Sequence, residues 1–359
     1  MRRRDILASA GSLATAAGST FASPAIAQGL RQLKMVTDWP ETLPGFHPSS
    51  VRLAQTIEAA TGGRIRVEVF PAGALVQPLE TFDAVGAGVA DMYHTAESYF
   101  EKNSRAFNFF TGVPFGFTAD ELFAWIQYGG GQELWDALSG QFNIKSLVCT
   151  STGCQMGGWF TREIAGPEAF RGLRYRMPGL GADVLRRLGA IVITLPASGI
   201  APALKSGAVD ASEFVGPWVD MALGLHEAVG YYYYPGFHEP GTNNAIGINR
   251  GVWNSLDPSD QRIFQAVAAC EYARSLAEFN ANNALSLRKL RDEGTIKILK
   301  FDDTLLKAFL AMSKDVVAEA GSGDDLSRKI YASYQQFRAS IMDWSDIAER
   351  AFLNARALG

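Results

Sequence analysis

The stretch that decides the fold is Leu173-Arg174-Tyr175-Arg176-Met177-Pro178-Gly179, followed downstream by Ala190-Ile191-Val192-Ile193-Thr194-Leu195. Both runs are short and rich in β-branched, aromatic or aliphatic residues, and the first is stopped by Pro-Gly, as strands are. Between them Ala182 to Leu188 reads as a helix closed by Gly189. A second helix, Ile200 to Ser206, closes at Gly207 and precedes a short strand, Val209-Asp210-Ala211-Ser212-Glu213. Gly just past the last helical residue is a common stop. Strand, helix, strand, helix, strand is the pattern of a parallel sheet with crossover helices.

Working outward, the same pattern precedes this unit. Leu33-Lys34-Met35-Val36-Thr37 alternates as a first strand, stopped by Trp39-Pro40. Ser49-Ser50-Val51 opens a helix with Val51, Leu53, Ala54 and Ile57 inward, and Thr61-Gly62-Gly63 ends it. Arg64 to Phe70 alternates over seven residues, Glu80 to Gly88 is helical, and Ala90 to Thr95 is a short buried strand. Lys145 to Cys149 and Gly157 to Phe160 are strands that lead into the second unit. Tyr231 to Tyr234, before Pro235-Gly236, leads the chain back across, and Ala245 to Asn249 is a further strand. The predicted fold class is therefore α/β, a two-lobed architecture of the hinged binding-protein type. In such folds ligands sit between the lobes, near the carboxyl ends of strands. The expected organisation is lobe 1 over 28–150 with about 237–275 returning to it, and lobe 2 over 151–236 with about 276–322 packing across the lobes. A helical segment, 323–359, closes the chain.

From about Pro258 the pattern is nearly all helical. Leu326, Ile330, Tyr334, Phe337, Ile341, Trp344, Ala348 and Phe352 recur at three- and four-residue steps, one apolar stripe on a long C-terminal helix that Asp324 or Ser322 caps. Two roles fit that stripe: an internal brace across both lobes, or a helix exchanged in a homodimer.

Composition narrows the function. With 47% hydrophobic and 19% charged residues the chain is globular, not disordered. No uninterrupted apolar run of about 18 residues occurs, which excludes a polytopic membrane protein. A net charge of −4, with no basic block after the N-terminus, argues against nucleic acid as a partner. Three cysteines, Cys149, Cys154 and Cys270, are too few for a disulfide scaffold and read as buried reduced thiols, a Cys149–Cys154 bridge being weakly supported. The four histidines form no HExxH or HxH pattern, so a zinc enzyme is disfavoured. No GxSxG elbow, P-loop or dinucleotide fingerprint occurs; Gly129-Gly130-Gly131 and Gly179-Leu180-Gly181 are turns. The first 27 residues read as an export signal of the twin-arginine type: Arg2-Arg3-Arg4, an Ala/Ser/Gly-rich apolar stretch, then Ala25-Ile26-Ala27. The expected location is the periplasm.

Four polar residues stand out against aromatic, Gly-rich surroundings. Arg176 lies near a strand end, from which its planar donors reach a cleft and match a carboxylate. Glu213 ends a strand before Phe214-Val215-Gly216-Pro217-Trp218, where a carboxylate suits a hard cation. Gln155 precedes Met156-Gly157-Gly158-Trp159-Phe160, and Glu239 follows Phe237-His238. Each also has a plain reading as a surface or turn residue.

Together these segments resemble the solute-binding subunits of tripartite ATP-independent periplasmic (TRAP) transporters, the DctP-type family. The resemblance lies in Phe170-Arg171-Gly172-Leu173-Arg174-Tyr175-Arg176, in Leu188-Gly189-Ala190, and in Ala203-Leu204-Lys205-Ser206-Gly207-Ala208-Val209-Asp210-Ala211. Within the family the chain looks like the α-keto-acid-binding branch, through Thr152 to Phe160, Glu213 to Pro217 and Tyr231 to Gly236. The resemblance implies that Arg176 clamps a ligand carboxylate, that Gln155 touches ligand and cation, and that Tyr99 faces the ligand from lobe 1. It further implies a Na⁺ or Ca²⁺ shell of Glu213, the Phe214 carbonyl, Glu239 and Gln155, with the ion bridging to the acid. A swapped C-terminal helix and delivery to the membrane subunits of a TRAP permease complete the picture. The chain departs from the branch at Ser98-Tyr99, Phe214 and Ser151, and Glu97 and Glu101 are expected to add acidity near the cleft rim. The expected function is a receptor, not an enzyme, for a small 2-oxo monocarboxylate such as pyruvate. Lactate or another 2-hydroxy acid is the alternative ligand; a periplasmic enzyme or a sensor partner acting on a small acid is the alternative class.

Overall fold

Two mixed sheets carry the molecule. The computed structural model describes residues 30–359; the signal reading of 1–27 lies outside the described residues. The first sheet has the order β2-β1-β3-β10-β4. Its strands are β1 (Arg31–Thr37), β2 (Ile65–Phe70), β3 (Met92–Thr95), β4 (Ile144–Gly153) and, later in the chain, β10 (Thr242–Asn249). β1, β2 and β3 are parallel, whereas β10 enters antiparallel between β3 and β4. In β2 Ile65 and Val67 are buried and Arg66 and Glu68 exposed, the alternation of a one-sided strand. β4 and β10 are buried along their whole lengths, covered on both faces.

The second sheet has the order β11-β9-β5-β8-β6-β7. It contains β5 (Gly158–Phe160), β6 (Arg174–Arg176), β7 (Ile191–Ile193), β8 (Ala211–Ser212), β9 (Tyr231–Tyr234) and β11 (Lys297–Lys300). Two elements differ from expectation. Tyr231–Tyr234 is a full strand of this sheet, paired with β5 and β11, rather than a passage back. β11 interrupts a region expected to be helical; Lys-Ile-Leu-Lys carries no turn signal of its own, and pairing with β9 makes it a strand.

Two short crossings join the sheets, 154–157 and 235–241, and a third connection is the Pro258–Glu293 helix. Its 36 residues span about 54 Å at 1.5 Å each. Phe264, Val267 and Ala268 pack under the first sheet with Met35 and Ile246. Phe279 and Leu290 pack with Phe46, Phe214 and Val219 beside the second. This helix is the brace that runs along both lobes.

The Asp325–Ser345 helix packs on helices of the first lobe, and the Asp324 carboxylate accepts from the Ser327 N–H at its start. Ile330 and Tyr334 are fully buried, Tyr334 against Phe109, Phe117 and Trp125. Beyond Ile341 the stripe leaves the body: Trp344 and Phe352 are 63% exposed and Ile347 75%. Of the eight-residue apolar series, Ile330 and Tyr334 are buried, Trp344 and Phe352 are exposed, and the other four are half-buried. The cysteines are free, and only Cys149 is buried; Cys154 and Cys270 are exposed, against expectation.

Candidate functional site

The site forms where the two crossings pass between the sheets. Arg176 ends β6, and the chain turns there at Pro178-Gly179. Gly179 has φ +62°, and a side chain on it would meet the Asn108 Oδ1 at 2.8 Å, so only glycine fits. Arg176 is 1% exposed. Its Nη1 donates to the Glu213 Oε1 at 2.6 Å and to the Glu213 carbonyl at 3.0 Å; Nε and Nη2 donate to the Leu195 carbonyl at 3.1 and 2.9 Å. The guanidinium is therefore not a free fork: four of its five N–H groups are taken by Glu213 and Leu195, and the Tyr99 hydroxyl also lies against it. Burial opposes its charge, and Glu213, Tyr99 and Glu239 outweigh that, holding its pKa above the usual value. Its guanidinium carbon lies 5.6 Å from the Phe214 ring centre.

Glu213 follows β8 and is equally buried. Its second carboxylate oxygen lies 3.1 Å from the His238 Nε2. The 213–216 loop is pinned by Asp220, whose carboxylate accepts from the Val215 and Gly216 N–H groups at 3.1 and 3.2 Å. It also accepts from the Trp159 Nε1 and the Tyr232 hydroxyl at 2.8 and 2.7 Å. Burial raises the Asp220 pKa to about 6 against the bonds from Trp159, Tyr232 and Val215.

The crossings bring the remaining groups. The Gln155 Nε2 donates to the Thr242 Oγ1 at 2.7 Å and to the Glu239 Oε2 at 3.0 Å, and the Thr242 hydroxyl donates to the same Glu239 oxygen at 2.7 Å. The Gln155 Oε1 is buried with no partner. Burial raises the Glu239 pKa; His238 opposes that, and the Glu213 charge adds to it. Burial also raises the pKa of the Tyr99 hydroxyl, with Arg176 working the other way.

Arg176, Glu213, Phe214, Gln155, Glu239 and Tyr99 all line one small cavity of about 20 Å³. An aromatic wall lines it: Trp39 packs against Phe46, tilted at 30° with centroids 4.4 Å apart, and Phe46 lies 6.1 Å from Phe214. Reading the sequence missed Trp39, Thr152, Thr242 and Asn244, which also line it, and His238 behind Glu213. Thr242 and Asn244 lie in a strand whose polar residues carried no local signal. Ser151 is buried in β4 outside the cavity lining.

Glu97 is a correction. It is 1% exposed in the first lobe's core, not at a rim, and its carboxylate accepts from Tyr93, from Ser146 at 2.6 Å and from Trp135 at 2.7 Å. Glu101 is half-buried, with Asp183 and Arg105 nearby.

Two buried carboxylates and an amide oxygen without a donor border this cavity, and oxygen groups of this kind suit a hard cation. Among the described residues no group of three or more His, Cys, Asp and Glu could hold a metal, which sets this site apart from a zinc-type cluster. No helix of the described residues is long and apolar enough to cross a membrane.

The family model described as bacterial extracellular solute-binding protein, family 7 (DctP), matches residues 36–324. The chain is 35% identical to the monocarboxylate 2-oxoacid-binding periplasmic protein of Nostoc sp., over 99% of this chain and 98% of that one. A TRAP transporter solute-binding protein from Bordetella bronchiseptica, a mixed-occupancy dimer with copurified calcium and picolinate, superposes with TM-score 0.89 at 32% identity, covering 92% of this chain and 98% of that chain. One from Colwellia psychrerythraea with bound calcium and pyruvate gives 0.88 at 30% identity, over 91% and 100%. One from Pseudoalteromonas atlantica with bound sodium and pyruvate gives 0.87 at 31%, over 91% and 99%. These relatives are solute-binding receptors, not enzymes, and this chain belongs with them to the DctP family, the solute receptors of TRAP transporters.

Proposed function

We propose that the protein is the periplasmic receptor for a small 2-oxo monocarboxylate, pyruvate-like in size, which it delivers to the membrane subunits of a TRAP permease. The observation that carries this reading is the enclosure of Arg176, Glu213, Glu239 and the orphaned Gln155 oxygen around one small cavity. In this reading Na⁺ or Ca²⁺ is held by Glu213, Glu239, the Gln155 Oε1 and the Phe214 carbonyl. The ion would supply the positive charge that an entering anion needs. Two buried carboxylates and the acid outweigh the single Arg176 guanidinium by two charges, which one divalent ion cancels; an uncompensated excess in so dry a site is costly. Arg176 keeps Glu213 in place and offers the acid its remaining Nη2 N–H, and Tyr99 offers a hydroxyl that stays protonated. The aromatic wall excludes water, which strengthens each of these bonds. The cation- and acid-bound relatives support the same reading.

Calorimetry with pyruvate, 2-oxobutyrate, 2-oxovalerate, 2-oxoisocaproate and lactate, after chelation and then with Ca²⁺ or Na⁺, tests it. Heat is expected from 2-oxo acids, and only with a cation. No heat from any of them would reject the substrate class; heat from lactate alone would move the assignment to 2-hydroxy acids.

We also propose that the exposed apolar residues near the C-terminus, Trp344, Ile347 and Phe352, cover themselves against a second copy of the chain. Exposed apolar residues grouped on one helix face are typical of an association surface, and the Bordetella relative is a dimer. Light scattering of the full chain reports the state directly; a monomer at all concentrations would remove this element.

A further inference from the structure

Eleven buried side-chain polar atoms have no partner among the described residues, and four of them belong to residues lining the one small cavity: the Trp39 Nε1, the Ser98 Oγ, the Gln155 Oε1 and the Asn244 Nδ2. Trp39, Ser98 and Asn244 are each 1% exposed. A buried donor left unmade costs free energy, so this concentration marks where a ligand completes the bonding. The Gln155 oxygen is an acceptor and calls for a cation or a donor. Trp39 can only donate.

We propose that Trp39 and Asn244 bind the ligand: their Nε1 and Nδ2 are neutral donors to the oxygens of the small acid, in the same cavity as the charged pair of Arg176 and Glu213. The inference rests on the small-acid reading above and goes beyond it by naming uncharged groups that hold the anion. One fact directs the donors to the acid itself. Arg176 is largely occupied by Glu213 and the Leu195 carbonyl, so it cannot meet every ligand oxygen unless it releases one of them. The indole is held for this role by its packing: Phe46 lies against it at 4.4 Å, and His94 and Tyr99 lie at 6.1 and 6.3 Å. Neutral donors also read shape without adding charge, so they favour an acid with adjacent acceptor oxygens over a simple monocarboxylate.

The test uses the full mature protein with Ca²⁺ and pyruvate as the probe. Trp39→Phe keeps a ring and removes the N–H; Asn244→Leu keeps the branch and removes the amide. Each is expected to bind pyruvate about tenfold to a hundredfold more weakly, the usual worth of a hydrogen bond to a charged group. Among the seven tryptophan indole N–H resonances, the one missing in Trp39→Phe is expected to move downfield when pyruvate saturates the wild type. A merely structural role would lower the thermal midpoint without moving that resonance. Affinities within twofold of wild type, or an unmoved Trp39 resonance at saturation, overturn the proposal. Should Trp39→Phe fail to fold, the Asn244→Leu affinity decides it. Wild-type protein that binds none of the acids overturns the substrate reading and this inference together. Wild-type binding with unaffected variants overturns only the inference.

Discussion

Two buried glutamates in this molecule have the same exposure and opposite meanings. Glu97 and Glu213 are each 1% exposed. Around Glu97 the accounting closes: Tyr93, Ser146 and Trp135 supply neutral donors, and no orphaned atom borders it except the neighbouring Ser98 Oγ, which lies on the cavity side. Around Glu213 it does not close. The acid is shared by Arg176 and His238, and beside it stand a second carboxylate, Glu239, and the unpartnered Gln155 oxygen. Burial alone therefore does not mark a binding site. Unfinished hydrogen bonding around buried charge does.

Experiments that separate the two carboxylates should do so most clearly in stability. Glu97→Ala leaves three buried donors without an acceptor and should cost about 4 kcal/mol by denaturant unfolding, while pyruvate affinity of the folded protein stays within about threefold. A large affinity loss there would place Glu97 in the site after all. On the cavity side, Arg176→Met removes the cation that faces Glu213 and should weaken pyruvate binding by more than about 2 kcal/mol in calorimetry. Unchanged affinity would remove Arg176 from the site. Glu239→Gln should raise the Ca²⁺ concentration needed for pyruvate binding about tenfold, roughly 1.4 kcal/mol. Its stability should hold or rise, because burial already disfavours the charged form.

Asp220 sharpens the comparison through pH. Its folded pKa is raised from 3.8 to about 6 by burial, so between those values the folded protein binds more protons than the unfolded one. Stability should therefore fall as pH rises from about 4 to 6, with a slope of up to about 1.4 kcal/mol per pH unit from this group. Thermal midpoints of wild type and Asp220→Asn across that window check the sign; parallel curves would mean that Asp220 does not titrate there. The smallest effect is expected from deleting residues after Ser345. Nothing beyond that point is buried, and monomer stability should change by less than about 0.5 kcal/mol. Cutting at Gly323 instead would remove Ile330 and Tyr334 and should be far more damaging.

How far the site was readable follows the same division between local and distant partners. Arg176 and Glu213 were found because each ends a strand whose stop signals, Pro178-Gly179 and Gly216-Pro217, are written beside it. Gln155 and Glu239 were found because Gly-rich aromatic runs flank them, and the family resemblance joined them to a single shell. Glu97 was misplaced because its partners, Trp135 and Ser146, are 38 and 49 residues away. Trp39 passed as a strand stop.

The sequence by itself determined most of the strands, the helix stops, the two-lobed α/β class and the apolar stripe of the C-terminal helix, since period and punctuation are local properties of the chain. Tertiary structure alone decided which polar atoms were left without partners, that Lys297–Lys300 became a strand, and where the C-terminal stripe parts from the body. Each of those depends on what lies opposite in space: a hydrogen bond or a covered face needs a second surface, and no single stretch of sequence carries both.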